Sequence, residues 1–199
     1  MDMNRVKWWI GALTAVVGLT AAGSGALAAP AAATQKAAAT AAAKANPAMV
    51  NNLTSSTLIP LVLYAREIYF YTNRGGSLAQ LETFTHNGQE FRYLSRDLGT
   101  RQQLLHYVKK AYTHNAAAFY VQTQFLENQG RMAQVNADIG NLLEFHKAQA
   151  TMLSKDTTKA VFELKVPYPN NTQNPETLIV KLKKVSGYWR IDMSPDTLF

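Results

Sequence analysis

Four histidines, His86, His106, His114 and His146, are the side chains best suited to proton transfer or metal ligation, and none has the company either task needs. His106 and His114 fall about two helical turns apart across a break at Thr113, which is poor geometry for sharing an ion. The chain has no HExxH, no Gly-rich phosphate loop, no GxSxG elbow and no closely spaced acids around a glycine. Cys is 0, which removes thiolate nucleophiles, thiolate metal ligands and disulfides. The residues therefore read as a protein with no catalytic group, no metal and no cofactor. The one irregular stretch of strong character is Ala133 to Asn141. Within it Asn136, Ala137, Asp138, Ile139, Gly140 and Asn141 combine small residues, turn formers, one acid and one branched apolar side chain. Two readings stand: an ordinary connection, since Asn, Asp and Gly make turns for local reasons, or a projecting loop that offers Asp138 and Ile139 to a partner's cleft.

The elements that would position such a loop begin with helices. Thr57 is a candidate N-cap, Pro60 suits a first turn, and Leu58, Leu61, Val62, Ala65, Ile68 and Tyr69 repeat at helical spacing to about Thr72. A hairpin follows, from Leu81 to His86 and Gln89 to Ser95 around the turn pair Asn87-Gly88. That turn sets Phe84 opposite Phe91, and the aromatic face they share with Tyr93 is expected to meet the core while Thr83, Thr85, Glu90 and Arg92 face outward. Thr100 and Gln103 form a capping box ahead of Leu104, Leu105, Val108, Ala111 and Tyr112. Thr113 to Asn115 then starts a short helix carrying Ala116, Phe119 and Tyr120, and two short strands are expected near Phe125 to Glu127 and Arg131 to Val135.

The last third alternates with a period of two. Leu143 to Leu153, Ala160 to Tyr168, Thr177 to Val185 and Tyr188 to Met193 read as antiparallel strands, with Leu178, Val180, Leu182, Trp189, Ile191 and Met193 inward. Lys165, Lys181, Lys183 and Arg190 then face outward, either as a solvated sheet face or as a weak attractor of anionic wall polymers. Aromatics interleaved with these charges, as nucleic-acid binding would want, are not evident. Helices and a hairpin followed by a meander predict an α+β, two-lobed protein with a sheet-dominated second lobe.

The start of the chain has the marks of export. Arg5 and Lys7 precede an apolar stretch from Trp8 to Leu19, and Ala26-Leu27-Ala28 is a small-x-small cleavage site, so 1–28 reads as a signal peptide. Residues 29–52 are mostly Ala and read as a linker, leaving 53–199 as the folded domain. The chain carries +7 overall, and without Arg5, Lys7, Lys36, Lys44 and Asp2 the excess is +4. Export without cysteines fits the outside of a Gram-positive cell, secreted or held in the wall, with no membrane contact after cleavage.

The run Glu82-Thr83-Phe84-Thr85-His86-Asn87-Gly88-Gln89-Glu90-Phe91-Arg92-Tyr93-Leu94-Ser95-Arg96-Asp97-Leu98, followed by Ala133-Gln134-Val135-Asn136-Ala137-Asp138-Ile139-Gly140-Asn141, resembles the IseA family of inhibitors of cell-wall DL-endopeptidases. The resemblance extends over roughly Leu58 to Ile191 and implies a hacksaw-shaped, two-lobed inhibitor of secreted NlpC-type cysteine peptidases. It also implies that the loop Asn136 to Asn141 is the inhibitory element. An NlpC-type peptidase needs a Cys nucleophile, so this chain is not one, though it can bind one. Two other classes remain open from the residues themselves. One is a cystatin-like or nuclear-transport-factor-like domain with a ligand pocket lined by Phe162, Trp189 and Tyr69; the other is a structural protein held to the wall by charge.

Overall fold

The computed structural model describes residues 46–137 and 140–199. The expected signal peptide, most of the expected linker, and Asp138 and Ile139 lie outside the described residues. Contacts with the folded body begin before residue 53. Trp189 N donates to Val50 O at 2.7 Å, Arg190 Nη1 donates to Ala48 O at 2.7 Å, and Leu53 is fully buried.

Helix α1 spans Ser55–Asn73. Its N-cap is Thr54 and not Thr57: Thr57 N donates to Thr54 Oγ1 at 3.2 Å while Thr54 N donates to Thr57 Oγ1 at 2.9 Å, the reciprocal capping box. Two threonines three apart satisfy each other's amides better than either alone, and that moves the start one turn upstream. Pro60 consequently sits inside the helix. Strands β1 (Thr83–His86) and β2 (Gln89–Tyr93) form the expected hairpin, with Phe84 opposite Phe91. Asn87 at φ 51° and Gly88 at φ 78° make the turn left-handed at both positions, as the Asn-Gly pair requires. Helix α2 (Arg101–Val108) carries the Thr100–Gln103 capping box, and α3 (His114–Gln124) is capped by Thr113. On α3 Phe119 is 57% exposed, whereas Ala116, Ala117, Tyr120 and Val121 are buried.

Strands β3 (Leu126–Asn128) and β4 (Arg131–Val135) complete a first antiparallel sheet in the order β1-β2-β4-β3. The second sheet is a meander of β5 (Gln149–Lys155), β6 (Lys159–Val166), β7 (Glu176–Val185) and β8 (Tyr188–Ile191). β5 starts at Gln149, not at Leu143, because its first partner is Lys165 and the chain beyond Val166 turns into Pro167 and Pro169, which have no N–H to donate. Residues 145–147 form a 3-10 turn there instead. α1 lays Leu58, Leu61, Val62 and Ala65 into one core with Ala160, Phe162, Leu164, Val180, Leu182, Trp189 and Ile191 of the second sheet. A helix packed on an antiparallel meander, beside a separate hairpin-based sheet, is the α+β two-lobed arrangement anticipated.

The turn that follows α1 ties the lobes' starting points together. Gly76, at φ 96°, has no room for a side chain, since a Cβ would lie 2.2 Å from Ser95 Oγ. Asp97 closes this turn: its carboxylate accepts from Tyr71 Oη at 2.6 Å, Ser95 Oγ at 2.5 Å and Ser77 Oγ at 2.8 Å. Partial desolvation raises the Asp97 carboxyl, but the hydroxyls of Ser95, Tyr71 and Ser77 with the Ser77 amide outweigh it and hold the group well below the ordinary carboxylate range. A carboxyl whose pKa is lower folded than unfolded contributes stability above an unfolded value of about 3.9 and loses it as pH falls toward the folded value. Thermal melts of the parent and of Asp97→Asn should therefore keep a constant separation from pH 7 to about 4 and converge as pH drops from about 4 to 2. Parallel curves over that range would disprove the assignment.

Candidate functional site

The connection between the two sheets begins where β4 ends. Its first residue is held from two sides. Asn136 N donates to Glu90 O at 2.9 Å, Asn136 Nδ2 donates to Glu90 Oε2 at 2.6 Å, and Arg92 Nη1 reaches Asn136 Oδ1 at 3.4 Å. Arg92 Nη2 donates to Ala137 O at 3.1 Å and also to Asn73 O, the last carbonyl of α1. Gln134 Nε2 donates to the same Asn73 oxygen. The other root is apolar: Leu143 and Phe145 are buried, Phe145 lies 5.0 Å from the Phe199 ring, and Glu144 N donates to Pro167 O at 2.9 Å. Between the roots, Asn136, Ala137, Gly140 and Leu142 are exposed, Leu142 by 74%. Asn141 is half-buried, and Asp138 and Ile139 belong to the undescribed pair.

This geometry departs from the orientation expected for the hairpin at one residue, Arg92, while Thr83, Thr85 and Glu90 are exposed and Tyr93 is buried as expected. Arg92 does not face solvent; it shares a face with Gln134, its partner in the β2–β4 register, and that face meets the C-terminal end of α1. A helix end carries unpaired carbonyls and the negative pole of the macrodipole, so it draws a guanidinium and an amide more strongly than it draws aromatic rings. Phe84, Phe91 and Tyr93 are on the opposite face, where Tyr93 is buried but none of the three joins the main core cluster. They stack on one another, with centroids 4.5 Å apart for Phe84–Tyr93 and 5.7 Å for Phe84–Phe91. Phe84 and Phe91 stay half-buried and Val135, opposite Phe91, is 40% exposed. An apolar surface thus continues directly into the connection at Asn136. No sequence signal marked Arg92 as the one residue of the polar face that turns inward.

Gly140 is a position at which the fold makes no demand for glycine. Its backbone is outside the left-handed region and an added Cβ meets nothing within 4 Å, so no conformational demand fixes glycine there. The residues that would line a pocket in the alternative ligand-binding reading are packed: Phe162 and Trp189 are fully buried in the core and Tyr69 nearly so. An open depression of about 670 Å³ lies instead beside Leu81, Glu82, Tyr93, Arg96 and Arg131, at the end of β4 away from the connection. Among the described residues no group of three or more His, Asp or Glu could hold a metal ion.

Residues 49–196 match the family model described as IseA DL-endopeptidase inhibitor. The chain belongs to this family. An IseA-family protein is an inhibitor of NlpC-type DL-endopeptidases and not itself an enzyme. A relative, Uncharacterized protein YoeB of Bacillus subtilis (strain 168), is 23% identical over 148 residues, which cover 71% of this chain and 81% of the relative. The match to the family begins at Met49, close to the first residues that contact the folded body.

Proposed function

We propose that the IseA-family domain inhibits its peptidase by placing the connection Asn136 to Asn141 in the substrate groove, with the half-exposed Phe84–Phe91–Val135 surface packing beside it. The observation that carries this reading is an exposed segment fixed at both roots, by Glu90 and Arg92 on one side and by buried Leu143 and Phe145 on the other. A segment held this way loses little freedom on docking, and that saving is what lets a short loop bind tightly. Asp138 supplies a carboxylate resembling those of a peptidoglycan stem peptide, Ile139 supplies apolar contact, and the peptidase's Cys nucleophile finds no scissile bond in register. The protein acts outside the cell, in or near the wall of a Gram-positive bacterium, after loss of residues 1–28. No helix among the described residues is long and apolar enough to cross a membrane.

Purified protein titrated into a secreted NlpC-type endopeptidase acting on peptidoglycan should abolish cleavage at a fixed molar ratio, while releasing no muropeptides alone. Muropeptide release by the protein itself, or no inhibition at any ratio, would refute the reading.

A further inference from the structure

The outer face of the meander carries charge in an arrangement that costs the fold stability. The register sets Lys159 of β6 directly opposite Lys183 of β7, and Lys183 directly opposite Arg190 of β8. Three cations therefore cross the sheet in one row, at the roughly 5 Å spacing of neighbouring strands. Like charges directly opposed across strands are destabilising. Lys181 and Lys165 extend the same face, whose acids are Glu163, 3.9 Å from Lys165, Asp192, whose N donates to Lys181 O, and Asp156, whose carboxylate accepts from Lys159 N, so cations outnumber acids there. Lys159, Lys181 and Lys183 are exposed, while Arg190 is half-buried and anchored through Ala48 O. The inner face under the row is the packed core, so these residues contribute nothing to burial that neutral side chains could not.

We propose that this face binds a linear polyanion whose charges are phosphates. Charge complementarity selects the partner: a row of cations at regular spacing on a flat sheet fits successive charges along one flexible chain. Bases would need stacking platforms, and the aromatic side chain on this face is Tyr188 alone, already placed 5.9 Å from the Arg190 guanidinium. The inference is independent of the connection proposed to block the peptidase, which belongs to the junction of the two sheets and not to this face.

The test uses the full chain and linear inorganic polyphosphate at several salt concentrations. Binding should weaken linearly in log K against log salt. The double variant Lys159→Gln, Lys183→Gln should bind at least tenfold more weakly at low salt, with a slope shallower by more than one unit, since each phosphate contact on a single chain contributes about 0.7. The same variant should melt at a higher temperature, because the facing like charges are gone, and should inhibit the endopeptidase as well as the parent does. No binding by the parent, an unchanged slope in the variant, or stronger binding to anionic phospholipid vesicles or to oligothymidylate than to polyphosphate would overturn the proposal.

Discussion

Replacing Asp138 and Ile139 together by alanine should weaken inhibition at least tenfold while leaving the melting temperature within a few degrees of the parent. The tenfold figure corresponds to about 1.4 kcal/mol, a modest loss for contacts at the centre of an interface. The small thermal effect follows from the neighbours on either side, since Asn136, Ala137, Gly140 and Leu142 are exposed. Gly140→Ala is the companion measurement. With open space around the position and no left-handed backbone to preserve, it should leave the fold untouched, so any loss of inhibition reports contact with the peptidase directly. Full inhibition by the double variant would move the active surface away from the connection, and loss of both inhibition and folding would make the segment part of the core.

How much of this was legible in the sequence divides along a physical line. Local signals carried well: the Asn87-Gly88 turn fixed the Phe84–Phe91 register, Thr100 and Gln103 fixed the start of α2, and alternation fixed the inward set Val180, Leu182, Trp189 and Ile191. These depend on chemistry within a few residues. What failed depended on tertiary neighbours. Arg92 looked like a solvent-facing residue because the demand of α1's final carbonyls for donors is invisible until Asn73 and Arg92 are brought together from 19 residues apart. Pro60 looked like a first-turn residue because the choice between Thr54 and Thr57 as cap rests on a reciprocal bond between the two. The connection was found from its composition, but its anchoring by Glu90 and Arg92 was not, since neither residue has any sequence feature that points toward Asn136.

Arg92 is for that reason the residue whose replacement should be most informative. Its guanidinium serves Asn73 O at the end of α1 and both Asn136 Oδ1 and Ala137 O at the root of the connection. Arg92→Ala leaves Asn73 O with Gln134 alone and frees the Ala137 carbonyl. With net charged hydrogen bonds at about 1.5–3 kcal/mol and not additive, the expected cost is about 2–3 kcal/mol, or a melting temperature lower by roughly 5–10 °C. Inhibition measured well below that melting point should still fall about fivefold to tenfold, because a loosened root must be ordered when the connection docks. Arg92→Lys separates the two roles. An ammonium can complement the helix end, so much of the thermal loss should return, yet it cannot reproduce the planar fork that spans helix and connection, so inhibition should remain weak. If Arg92→Ala is folded and inhibits like the parent, the root does not need its clamp. If Arg92→Lys restores inhibition together with stability, the guanidinium acts on the connection only through the fold.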